Sequence, residues 1–88
     1  MQILFTRMFL KDLEKLTDQR LKSDLKNAVE KFEVANNLFE MTGIKKLKGH
    51  KTAFRLRIGN YKIGFHFDND CIKMTRFLKR DAIYDFFS

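Results

Sequence analysis

Proline is absent from the 88 residues, and glycine occurs only four times. No Ser/Gly-rich stretch marks a linker, and no internal repeat divides the chain. No apolar run approaches the ~18 residues that a membrane span requires. The opening Met1-Gln2-Ile3-Leu4-Phe5 is too short for a secretory signal and lacks a small-residue cleavage site. The one cysteine, Cys71, cannot close a disulfide within the chain, so a reducing cytoplasm is the expected setting. No His/Cys/Asp/Glu grouping has metal-ligand spacing and there is no Gly-rich phosphate loop. Neither a metal nor any other cofactor is therefore expected.

What the chain does contain is apolar side chains and positive charge. Hydrophobic residues make up 44% and phenylalanine alone supplies ten, which is enough for a packed core and argues against disorder. The length suits one domain over residues 1–88. The net charge is +7. Residues 1–43 hold seven basic and seven acidic side chains, whereas residues 44–88 hold eleven basic and four acidic. The whole excess thus falls on the second half. A neutral scaffold followed by a strongly positive segment points to nucleic acid, or an acidic protein segment, as partner.

Hydrophobic spacing predicts the elements. Gln2 to Thr6 reads as a short strand, and Thr6 can cap a first helix. In that helix Phe9, Leu13 and Leu16 form the apolar stripe, extended by Leu10, with Lys11, Asp12, Glu14 and Lys15 outside. Thr17 or Asp18 restarts the chain as the cap of a second helix. Its stripe is Leu21, Leu25, Ala28 or Val29, and Phe32, with Val34 and Ala35 near the end and Asn36-Asn37 stopping it. Leu38 to Gly43 is connection, anchored by Leu38, Phe39 and Met41. Ile44 to Lys48 begins a strand, with Ile44 and Leu47 buried, and Gly49-His50 breaks it.

The most informative stretch follows. Phe54, Leu56 and Ile58 alternate with Arg55 and Arg57, so one strand face is apolar and the other carries two guanidinium groups. Gly59-Asn60 supplies a tight reversal, and Tyr61, Ile63, Phe65 and Phe67 alternate with Lys62, Gly64 and His66. Paired antiparallel, the two strands set Arg55, Arg57, Lys62 and His66 on one side. Asp68-Asn69-Asp70 is the next turn. Cys71 to Phe77 is a further strand, with Ile72 and Met74 inward and Lys73 and Thr75 sharing the basic face. Arg76 breaks the alternation, which predicts a bulge or the strand end near it. A short terminal helix then contains Ile83, Tyr84, Phe86 and Phe87. The fold class is α+β: a strand, two helices, an antiparallel meander of three or four strands, and a short C-terminal helix. The helices cover one face of the sheet and the basic face stays open.

The runs KKLKGH, FRLRIGNYKIGF and FLKRDAIYDFF are similar to the RelE/ParE superfamily of toxins from type II toxin–antitoxin modules, and most of all to its RelE-like branch. That resemblance covers essentially the whole chain. It implies a small toxin that enters the vacant decoding site of a ribosome, cuts the messenger RNA there, and is neutralised by a cognate antitoxin. Carried over by position, it assigns catalytic roles to Arg55, Arg57, Lys62, Lys79, Arg80 and Tyr84. Arg80 is expected near the scissile phosphate, and Tyr84 is expected to stack on a base. Lys45, Lys46, Lys48, His50 and Lys51 are the expected RNA contacts. Two positions depart from the family pattern. Lys62 stands where relatives usually carry arginine, and loses the bidentate fork. Lys79 stands where close relatives often carry histidine.

RNA cleavage by internal attack needs a proton taken from the 2′-hydroxyl, charge stabilised on the phosphate, and a proton given to the leaving 5′-oxygen. Arg55, Arg57 and Arg80 can supply the second. For the first, the candidates are Lys62, Lys79, His50 and His66, with His66 favoured as a structural histidine. A lysine serves only where neighbouring cations disfavour its charged form. The expected mechanism is therefore electrostatic: cations hold the transition state, a deprotonated lysine assists, and the ribosome orients the RNA. The competing readings are a ParE-like poison of DNA gyrase, a non-enzymatic RNA-binding relative, and a free-standing ribonuclease.

Overall fold

The computed structural model describes the backbone of residues 1–87 and side chains as far as Ile83. Strand β1 (Gln2–Phe5) is followed by helices α1 (Arg7–Glu14) and α2 (Gln19–Val34) and a short 3-10 turn, Leu38–Glu40. Strands β2 (Ile44–Lys46), β3 (Ala53–Ile58), β4 (Tyr61–Asp68) and β5 (Cys71–Lys79) follow, and then helix α3 (Arg80–Phe87). The sheet has the order β1-β5-β4-β3-β2. Strands β2 to β5 form the expected antiparallel meander, and β1 adds to β5 in parallel at the far edge, so the sheet is mixed.

Local chemistry sets the element ends. The Thr6 hydroxyl accepts from the Phe9 N–H and donates to the Thr75 carbonyl, so one side chain caps α1 and ties it to β5. The Asp18 carboxylate accepts from the N–H groups of Arg20 and Leu21 at the start of α2. At the β4–β5 reversal both Asn69 and Asp70 adopt positive φ, 51° and 58°. That is the geometry of a two-residue turn whose twist matches its strands, and these residue types tolerate it.

The main core lies between the two long helices and one sheet face. Phe9, Leu16, Leu21, Leu25, Ala28 and Phe32 meet Leu56, Ile58, Ile63, Phe65, Ile72, Met74 and Phe77. Phe32 meets Phe65 edge-on with ring centroids 5.3 Å apart, and Tyr61 stacks on Phe77 at 5.1 Å. Among the described residues no helix is long and apolar enough to cross a membrane.

Four expectations are corrected. Leu10 and Val34 are exposed rather than part of the helix stripes, because α1 presents Phe9 and Leu13 to the sheet and α2 ends at Val34. Phe39 is 97% exposed and anchors nothing, although Leu38 beside it is buried. Asp12 is buried, not outside. Strand β1 pairs with β5 only as far as Phe5 opposite Met74, so β5 beyond that point has an unpaired edge. Asp12 fills it: its carboxylate accepts from the Phe77 N–H at 2.9 Å and from Arg76 Nε at 2.8 Å and Nη2 at 2.9 Å. The side-chain bond to Asp12 raises the Arg76 pKa above its ordinary value. The fourth correction concerns the face opposite the long helices, which is not fully open. Ile83 of α3 forms a second small core there with Leu47, Ala53 and Leu78.

Candidate nucleic-acid interface

The basic face is ordered in rows by the strand register. In the first row Arg57 pairs with Lys62, and Lys62 with Leu78. In the second Lys45 pairs with Arg55, Arg55 with Gly64, and Gly64 with Arg76. In the third Ala53 pairs with His66, and His66 with Lys73. The expected bulge is present in β5, where Thr75 is the extra residue between Met74 and Arg76. It brings Arg76 into register opposite Gly64, but the Arg76 guanidinium is held by Asp12 at the β5 edge.

The first row is tied to the start of α3. The Arg80 N–H donates to the Asn60 carbonyl at 2.9 Å, and Arg57 Nε donates to the Gly59 carbonyl at 3.2 Å. Tyr61 pairs with Lys79 across the same end. Arg57 and Arg80 are thereby brought to one reversal, and both are exposed; Lys79 is exposed too, but its pairing with Tyr61 puts it on the opposite face, beside Lys15 and Leu16. Gly59 makes that reversal possible with a φ of 59°, a conformation that costs a side-chain-bearing residue more. Arg55 lies one row inward and is half-buried.

Lys62 differs from its companions. It is 3% exposed, on a face where the sequence reading left it open to a ligand. Helix α3 packs over β4 and β5 and accounts for the change. Gly64 is also buried on this face. With no side chain to hold a helix away, it permits a close approach of backbone. Tyr84 belongs to α3 by position, but its side chain lies outside the described residues.

The predicted RNA contacts divide. Lys45, Lys46, Lys48 and Lys51 are exposed and His50 is half-buried. Residues Lys46 to Lys51 wrap a cavity of about 490 Å³. Lys45 shares the face of Arg55, whereas Lys46 pairs with Phe54 and points to the opposite side of the sheet edge. At the third row Thr52 Oγ1 lies 2.9 Å from His66 Nδ1. Burial lowers the His66 pKa, and Lys73 and His50 lower it further. Thr52 and Lys73 were absent from the predicted site. The alternation of β5 did place Lys73 on this face, but nothing in sequence brings Thr52 to His66 before the register of β3 and β4 is known.

No protein-family model matches the sequence. Toxin RelE3 of Methanocaldococcus jannaschii is 36% identical over 88 residues, covering 99% of both chains. The chain belongs to the RelE toxin family. A chain of the crystallised RelB–RelE antitoxin–toxin complex from Methanococcus jannaschii has the same fold, with a TM-score of 0.82 and 36% identity. The match covers 97% of this chain and 99% of that one. The fold extends to the archaeal RelE–RelB complex of Pyrococcus horikoshii OT3, at TM-score 0.70 and 18% identity, covering 90% and 93%. It extends as well to the YoeB dimer of Staphylococcus aureus, at TM-score 0.70 and 18% identity, covering 90% and 94%. In this RelE-type fold the exposed Arg57 of β3 and the cations of the β5–α3 junction share one sheet end, and five of the eleven acidic residues lie on α1 and α2.

Proposed function

We propose that this RelE-family chain is a ribosome-dependent endoribonuclease that cuts messenger RNA in the cytoplasm and is held inactive by a cognate antitoxin. Family membership supports the toxin role, and the M. jannaschii relative was crystallised with its antitoxin. The observation that carries the chemical reading is the approach of Arg57 and Arg80 to the Gly59-Asn60 reversal. Two exposed arginines on a backbone fixed by hydrogen bonds form a preorganised site for a phosphate that gains charge in the transition state.

The roles follow from placement. Arg57 and Arg80 hold the non-bridging oxygens of the scissile phosphate. The 2′-hydroxyl of the same nucleotide gives up its proton to water as its oxygen attacks phosphorus, the bond to the 5′-oxygen breaks, and a 2′,3′-cyclic phosphate remains. The departing 5′-oxygen takes its proton from water, and Lys79, on the opposite face beside Tyr61, adds positive charge to this end of the sheet. Arg55, half-buried, steadies the adjoining phosphate from the second row. Lys62, nearly covered, acts as a positioning residue beneath Arg57 rather than touching RNA. The ribosome supplies what the chain lacks, an RNA strand already bent for in-line attack.

The test is to add the purified protein to translating ribosomes and to naked messenger RNA, then map 5′ ends. Cuts on ribosome-bound message alone are the expected result. Intact message in both would overturn the reading. Arrest of cell growth with broken DNA and unimpaired translation would replace it with gyrase poisoning.

A further inference from the structure

On the helix side of the molecule a groove of about 400 Å³ lies between α1 and α2. Phe5, Leu13, Leu25 and Val29 are among its apolar residues, and Phe5 is 44% exposed. Four charged side chains of α2 line the same groove: Lys22, Lys26, Glu30 and Glu33. All four are exposed, and none belongs to the site described above.

Their order is the reverse of what a lone helix favours. Lys22, the fourth residue of α2, and Glu33, the last but one, each carry the sign that the helix dipole disfavours at that end. Lys26 precedes Glu30 by four residues, the weaker order for a pair along one helix. Among the described residues none of the four forms an ion pair within the chain. The stability of α2 alone does not account for this pattern.

We propose that two copies of this chain pair through the α1–α2 groove, with their α2 helices antiparallel about a two-fold axis near Asn27 and Ala28. Lys22, Lys26, Val29 and Glu33 follow at spacings of four, three and four, so they form one stripe along the helix. The midpoint of Lys22 and Glu33 falls between residues 27 and 28, and that of Lys26 and Glu30 falls at residue 28. The two midpoints differ by half a residue, about 0.8 Å along the helix axis. A single two-fold axis therefore sets Lys22 against Glu33 of the second copy and Lys26 against its Glu30, and each pair occurs twice. Val29 and the lysine stems of each copy cover the apolar floor of the other. The floor supplies the attraction and the charges fix the direction, because a parallel arrangement would set Lys22 against Lys22 and Glu33 against Glu33. A different protein in this groove would not require charges mirrored about one point.

Sedimentation equilibrium of the full chain, from about 5 to 500 µM, tests the pairing; a dissociation constant on the order of 10–100 µM is expected for a small interface. Wild type should move toward twice the 10.5 kDa of one chain as concentration rises. Raising KCl should weaken the association by screening the charges. Lys22→Glu combined with Lys26→Glu should weaken pairing about tenfold or more, and so should Glu30→Lys combined with Glu33→Lys, because like charges then meet. All four positions are exposed, and circular dichroism checks that both variants keep their helices. Mixed in equal parts, the two variants should pair with each other, a rescue that a folding defect cannot produce. A wild type that stays a single chain throughout overturns the proposal and leaves the groove to a different protein. Pairing that either double variant leaves unchanged overturns it as well, and so does a mixture that fails to pair.

Discussion

Arg57 and Lys62 face each other across the hairpin, yet the structure treats them differently. Arg57 is exposed and tied by Nε to its own turn, while Lys62 is almost covered. A guanidinium keeps several donors free when one is committed, which suits Arg57 for both tasks. Asp12 is the second residue whose surroundings decide its role. Its two oxygens satisfy Arg76 and the Phe77 N–H together, deep at the α1–β5 contact. Asp12→Ala leaves a mostly buried cation and a backbone donor without their partner, and should cost about 3–5 kcal/mol of stability. Urea unfolding checks this, and a loss under 1 kcal/mol would contradict it. Tyr84 is assigned a stacking role, so Tyr84→Phe should keep most cutting and Tyr84→Ala should lose most of it. Equal loss in both would assign the role to the hydroxyl instead.

The elements divide into a scaffold and a working edge. Helices α1 and α2 bury one sheet face, and α3 lies across part of the other. Gly64 is buried on the sheet face that α3 packs against. Gly64→Val should overpack that contact by about 1–3 kcal/mol. Faster amide exchange in α3 than in α2 would show where the strain falls. Uniform exchange with an unchanged melting temperature would mean that α3 does not bear on Gly64. The strands and caps were legible in the sequence, because alternation in β3 and β4 and the cap chemistry of Thr6 and Asp18 are local signals. The burial of Asp12 and Lys62 was not. Asp12 is buried because β1 stops short and leaves an edge of β5 to be filled. Lys62 is buried because α3 folds back over it. Both depend on contacts between residues far apart in the chain. Phe39 was misread for the opposite reason: an aromatic in a short connection reads as an anchor, and here only its neighbour Leu38 turns inward.

At the scale of the molecule, charge and fold are aligned. The half of the chain that carries all the net charge also forms the meander, and the meander and the start of α3 bring exposed Arg57 and Arg80 to one end of the sheet. The faces of Arg55, Arg57, Lys62 and His66 were legible because period-two alternation fixes a face; the approach of Arg80 to the β3–β4 reversal was not, since it requires the bond from Arg80 to Asn60. The central claim is that Arg57 and Arg80 act on one phosphate. Mapping message cuts on translating ribosomes for wild type, Arg57→Ala and Arg80→Ala tests it most directly. Each substitution should lower the cutting rate about 10²–10³-fold, the cost of removing one preorganised donor from a charged transition state, with ribosome binding largely kept. Cutting at the wild-type rate by either variant would contradict the account.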